Sequence, residues 1–121
     1  MEERRIAVDD GMVVADESWV YVWLDRSGQV FYVGGTGLPV EVRTWLHLTS
    51  DDPQIGRVLA HHPEALVGRV DVHAWRLPPG ADRASVRDAL TAVLIAGSDE
   101  ITSMDAVSTA ATEEVLASLR R

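Results

Sequence analysis

Two tyrosines, an arginine and a histidine are spaced so that phosphate chemistry could be done among them. Tyr21 and Tyr32 are the only tyrosines in the 121 residues. Arg43 follows Tyr32 by eleven positions and His47 follows Arg43 by four. Residues four apart share one face of a helix, so Arg43 and His47 should point the same way. A phenol or an imidazole can manage the proton of an attacking water, and a guanidinium can neutralise charge on a phosphate. Two phenols, a guanidinium and an imidazole therefore suit phosphodiester chemistry. Between them lies "GGTG", in which Gly34, Gly35 and Thr36 read as a turn where backbone could approach a substrate closely. It lacks the lysine and spacing of a nucleotide-binding P-loop.

The elements that must position these groups are legible from patterning. "SWVYVWL" (18–24) and "QVFYVG" (29–34) are rich in β-branched and aromatic residues, and "DRSG" between them has turn composition. This predicts a hairpin with Trp19, Tyr21 and Trp23 on one face and Val20, Val22 and Leu24 on the other. After Pro39, Val42, Trp45 and Leu46 recur at helical spacing; the pattern turns Trp45 and Leu46 to the core and Arg43 and His47 away from it. A shorter helix is expected after Asp52 as cap and Pro53 in the first turn, ending before Pro63. "LVGRVDVHAWRL" (66–77) alternates as a third strand, and residues 82–96 read as a helix closed by Gly97. A last helix carries the stripe Met104, Val107, Ala111, Val115 and Leu119. The order β-β-α-α-β-α-α is that of a small α+β domain, helices packed on a short sheet.

The chain has the length of one domain, 1–121, with enough apolar residues for a core. Residues 1–17 form an acidic N-terminal arm or an added strand, and residues 98–121 a helical extension. The net charge of −8 at first argues against a nucleic-acid partner. Most of it, however, lies in those two ends. Residues 18–97 carry eight acids against seven arginines. No cysteine is present, which removes disulfides, thiol nucleophiles and thiolate zinc sites. No apolar run is long enough to span a bilayer, and the first residues lack a signal-peptide pattern; the expectation is a cytoplasmic protein without a membrane partner. His61, His62 and His73 raise a zinc site only weakly, because adjacent helical histidines diverge by about 100°.

With these residues in view, the chain resembles the GIY-YIG nuclease domain. "WVY" (Trp19–Tyr21) stands at the first family tripeptide and "YVG" (Tyr32–Gly34) at the second; Arg43 and His47 fall on the helix arginine and the histidine or tyrosine after it. The resemblance covers residues 19 to about 97. It implies a three-stranded antiparallel sheet flanked by helices, and metal-dependent hydrolysis of a DNA phosphodiester. Tyr21 or Tyr32 would activate water, Arg43 would bind phosphate and His47 would assist proton movement. It also implies Mg²⁺ or Mn²⁺ on a glutamate of the helix after the third strand. That position is Thr91 here, with Asp88 the nearest acid, one turn earlier. The first tripeptide begins with Trp19 rather than glycine, and the later Pro–Asn element is absent from "GSDEITSMDAV". Two expectations follow. One is an endonuclease with an altered metal-ligand set, Asp88 with Thr91. The other is an inactive module of the same fold, without a cofactor, binding nucleic acid or protein, with the C-terminal helix available for a protein partner or a homodimer.

Overall fold

Alternation along "WVYVWL" gives one strand two different faces, and the fold is built on that difference. The computed structural model describes residues 1–120 other than Glu2, Arg4, Ile6 and 14–16. Its main sheet has three antiparallel strands in the order β4-β3-β5, with β3 at Trp19–Leu24, β4 at Val30–Thr36 and β5 at Asp71–Arg76. A separate small hairpin, β1 (Val8–Asp9) and β2 (Met12–Val13), precedes it. It occupies part of the predicted N-terminal arm, the rest of which lies partly outside the described residues. The helices are α1 (Val40–Thr49), α2 (Arg57–His61), α3 (Arg83–Leu94) and α4 (Ala106–Leu119), with a 3-10 turn at Pro63–Leu66. The predicted α+β class and element order are thus observed.

One face of β3 buries Val20 and Val22 with Val33 of β4 against Val86 and Leu90 of α3 and Ala111, Val115 and Leu116 of α4. Full burial of such aliphatic side chains is worth about 1.5–3 kcal/mol each. The other face buries Tyr21 and Trp23, with Val58 of α2 and partly buried Phe31, Tyr32, Val72 and Ala74. The hairpin turn forms at residues 25–28. Asp25 Oδ1 accepts from the Ser27 and Gln29 amides, and Gly28 takes φ +83°. Pairing slips beside it, so that Leu24 opposes Val30 and Trp23 opposes Tyr32. Phe31 is the extra residue, and both Phe31 and Tyr32 therefore join the aromatic face.

The starts of α3 and α4 are tied together by the buried Ser108. Its hydroxyl accepts from the Asp82 amide (2.8 Å) and donates to Asp105 (3.0 Å), whose carboxylate caps α4 through the Ser108 amide. That cap holds the Asp105 carboxyl below its ordinary range. The α4 stripe is offset from the predicted one: Ala111 and Val115 are buried, but Leu116 and Thr112 join them and Val107 is exposed.

Three local expectations are corrected. The predicted turn at Gly34, Gly35 and Thr36 is strand, the end of β4. The short helix begins at Arg57; Asp52 and Pro53 form a turn in which Asp52 carbonyl accepts from Ile55 and Gly56 amides. On α1 the facing is reversed for Trp45 and His47, while Leu46 is half-buried. His47 is wholly buried, while Trp45 is 63% exposed and Val42 and Leu48 are also exposed. The reason is steric and polar together: a ring of Tyr21, Trp23 and Tyr32 leaves a slot for a flat imidazole with a hydrogen-bonding edge.

Tyr21 pairs across the sheet with Gly34 on one side and Ala74 on the other. A β-carbon at position 34 would lie 2.5 Å from Tyr21 Cζ and Oη, so the glycine is what lets the phenol lie flat across the strand. Gly34→Ala is expected to lower stability by about 1–3 kcal/mol in chemical denaturation. It should also release the Tyr21 ring, read as a loss of its chemical-shift dispersion.

Candidate functional site

The centre of the site is a short hydrogen bond between Tyr21 Oη and His47 Nε2, 2.6 Å long and buried. Around the imidazole stand three rings: Tyr32 at 5.1 Å between centroids, and Tyr21 and Trp23 at 5.6 Å each, all edge-on. The two tyrosines stack at 6.5 Å. His62, at the end of α2, lies against Phe31 and Tyr32 and closes that side as a packing residue.

A pocket of about 520 Å³ opens beside this cluster, lined by Tyr21, Tyr32, Gly34, Gly35, Arg43 and, from α3, Arg87, Asp88 and Thr91. Val33, Gln54 and Arg57 complete its wall. Of the residues expected to act together, Tyr21, Tyr32, Arg43, Asp88 and Thr91 therefore share one pocket. His47 stands behind Tyr21 rather than on the wall, and Thr36 is outside it. Thr36 is buried, and its hydroxyl accepts from the Leu38 amide, which shapes the exit from β4. Gly34 and Gly35 reach the pocket as strand backbone. Each is hemmed in, the first by Tyr21 and the second by the Arg83 side chain.

The loop 50–56 braces the cationic wall, whose Arg43 lies on α1, Arg57 at the start of α2 and Arg87 on α3. Arg43 donates to the Ile55 carbonyl at 2.7 Å, and Arg57 donates to the Gln54 carbonyl at 3.1 Å. Gly56 lets this loop fold against α1, because a β-carbon there would meet the Ser50 carbonyl. Arg57 and Arg87 were not among the residues the sequence nominated. Arg87 had a signal, its position four before Thr91 on one helix face. Arg57 had none, since only the path of the loop delivers it.

A resident divalent ion requires hard oxygen donors, chiefly carboxylates. The pocket offers one, Asp88, and both Nε and Nη2 of Arg87 donate to its Oδ1 at 3.1 Å. The Thr91 hydroxyl donates to the Arg87 carbonyl at 2.8 Å. Among the described residues no three His, Asp or Glu side chains converge. Asp88 is thus already paired with a guanidinium, and Arg43 and Arg57 in the same pocket would repel a dication. This donor set does not fit a resident Mg²⁺ or Mn²⁺.

Burial pushes the Tyr21 phenol up to about 12, with Tyr32 adding to the shift and Arg43 opposing it. Burial, with Arg43 and Arg57 nearby, pulls His47 down to about 4. At neutral pH the pair is a protonated phenol beside a neutral imidazole, so it presents hydrogen bonds rather than charge. Trp19 is half-buried at the hairpin's open end. Its Nε1 donates to Glu17 at 2.7 Å.

The fold and pocket define a class, a small α+β domain with an arginine-lined pocket set against a buried tyrosine–histidine pair. No family model matches the chain, and no curated protein or solved structure matches it.

His47 gives this arrangement a pH signature. Its folded value is about 4 against an ordinary 6.5, so the unfolded state takes up the proton first as pH falls. The stabilisation tied to neutral His47 is fully present above pH 6.5 and is lost progressively down to about pH 4. Urea midpoints measured from pH 7 to 5, where most carboxylates have not yet titrated, should decline in the wild type. His47→Gln should flatten that decline; an equal decline in both would remove His47 as its source.

Proposed function

We propose that this chain is a GIY-YIG-like domain that binds a phosphodiester backbone of nucleic acid, DNA in the first instance, in the pocket between Tyr21 and Arg43. The observation that carries the reading is the wall itself, three arginines and two phenols against a single carboxylate. Guanidiniums donate in planar pairs that match phosphate oxygens. The protonated phenol of Tyr21 adds a neutral donor. The chain's net charge of −8 does not oppose this, because the pocket is locally cationic and the acids concentrate in the two ends. The resemblance to GIY-YIG domains, carried by Tyr21, Tyr32, Arg43 and His47, supports nucleic acid as the source of the phosphate.

A second reading, hydrolysis of the bound strand as in an endonuclease, draws on Asp88. It is the one carboxylate on the pocket wall.

Fluorescence anisotropy with labelled single- and double-stranded DNA at increasing salt tests the first reading. Binding should weaken with salt, and Arg57→Ala should cost about tenfold and lower the salt slope by about one. No binding to either probe at low salt would reject it. Incubating plasmid with the protein, with and without Mg²⁺ or Mn²⁺, tests the second. Nicking abolished by both Arg43→Ala and Asp88→Asn would establish hydrolysis, whereas nicking that survives both changes would belong to a contaminant.

A further inference from the structure

Two buried nitrogens behind the pocket have no hydrogen-bond partner among the described residues: Trp23 Nε1 and His47 Nδ1. Their rings are neighbours, with centroids 5.6 Å apart and planes at 73°. Both side chains are almost wholly excluded from solvent. An unpaired buried N–H costs about 1–3 kcal/mol, so two such atoms on touching rings call for one explanation.

The indole nitrogen can only donate, whereas the imidazole Nδ1 donates or accepts according to its tautomer. With a proton on Nδ1, two buried N–H groups would be left without an acceptor. With Nδ1 bare, it is the acceptor the indole lacks, reached by a small ring adjustment or through one bridging water. We infer that Trp23 fixes His47 in the tautomer protonated on Nε2, and that this makes Tyr21 a hydrogen-bond donor into the pocket.

The second half follows from the first. His47 Nε2–H then donates to Tyr21 Oη across the 2.6 Å contact. The phenol's own proton is left to point elsewhere, and Tyr21 lines the pocket. The chain of donors Trp23, His47, Tyr21 runs in one direction and ends where an anion would sit. The opposite polarity would leave the phenol oxygen facing the pocket as an acceptor, set to repel a phosphate oxygen. Trp23 is thus a positioning residue, acting on the pocket through His47 without touching it. The consequence for binding rests on the reading of the pocket as a phosphodiester site; the tautomer does not.

Long-range ¹H–¹⁵N correlation at neutral pH reads the tautomer directly, with His47 signals assigned by their loss in His47→Gln. The wild type should show an imine-type Nδ1 and a pyrrole-type Nε2. In Trp23→Phe the proton should redistribute toward Nδ1, and affinity for a labelled single-stranded oligonucleotide should fall about tenfold, the effect of one hydrogen bond. Tyr21→Phe should cost about the same, and the double variant little more than either. A pyrrole-type Nδ1 in the wild type would overturn the inference, whatever the variants do. So would a tautomer unchanged in Trp23→Phe. If the wild type shows the expected tautomer but does not bind the oligonucleotide, the proposed function fails and the assignment of the tautomer by Trp23 stands.

Discussion

The buried contact between Tyr21 and His47 is the constraint on which the rest of the site depends. His47 is the one fully buried residue of α1, and it meets three aromatic rings of the sheet. The helix therefore rests on the sheet through a polar side chain, not through the apolar stripe its sequence offers. Arg43, one turn earlier, is carried to the pocket by the same seating. Its bond to the Ile55 carbonyl then holds the loop that presents Arg57. One hydrogen bond and a slot for a flat ring set the positions of two cations.

The two faces of β3 divide the work. The aliphatic face, packed by α3 and α4, supplies ordinary hydrophobic stability and asks little of chemistry. The aromatic face is where polar atoms are buried and where the cost of burying them must be met by partners. Helix α3 serves both: Val86, Ala89 and Leu90 enter the core, while Arg87, Asp88 and Thr91 reach the pocket. The pocket's arginines consequently come from α3, which packs into the aliphatic core, and from α1 and α2.

Much of this was legible in the sequence because it is periodic. Alternation in "WVYVWL" separates the two faces, and the turn residues Asp25 and Gly28 mark the hairpin. The helix of residues 82–96 is nearly as expected, running over Arg83–Leu94, and Gly97 takes the left-handed conformation of a helix stop. What was not legible is whatever depends on a partner distant in the chain. Periodicity turned Trp45 inward and His47 outward, since hydropathy cannot know that an aromatic slot with a phenol hydroxyl awaits an imidazole. The glycines at 34 and 35 look like a turn until Tyr21 and Arg83 are seen to occupy the space their side chains would need. Arg57 reaches the pocket by a loop whose course turns on Gly56, and no local pattern announces it.

Gly34 also bears on how such a site is inherited. The notch it leaves is filled by the Tyr21 ring, and glycine and alanine codons differ by a single base. One mutation at a residue that offers no functional group would push the phenol from its bed while leaving Tyr21, Tyr32, Arg43 and His47 unchanged in the sequence. In a lineage under relaxed selection, the recognisable constellation would then outlast the geometry it needs. Whether a descendant still works is better judged from the glycine under the ring than from the polar residues themselves.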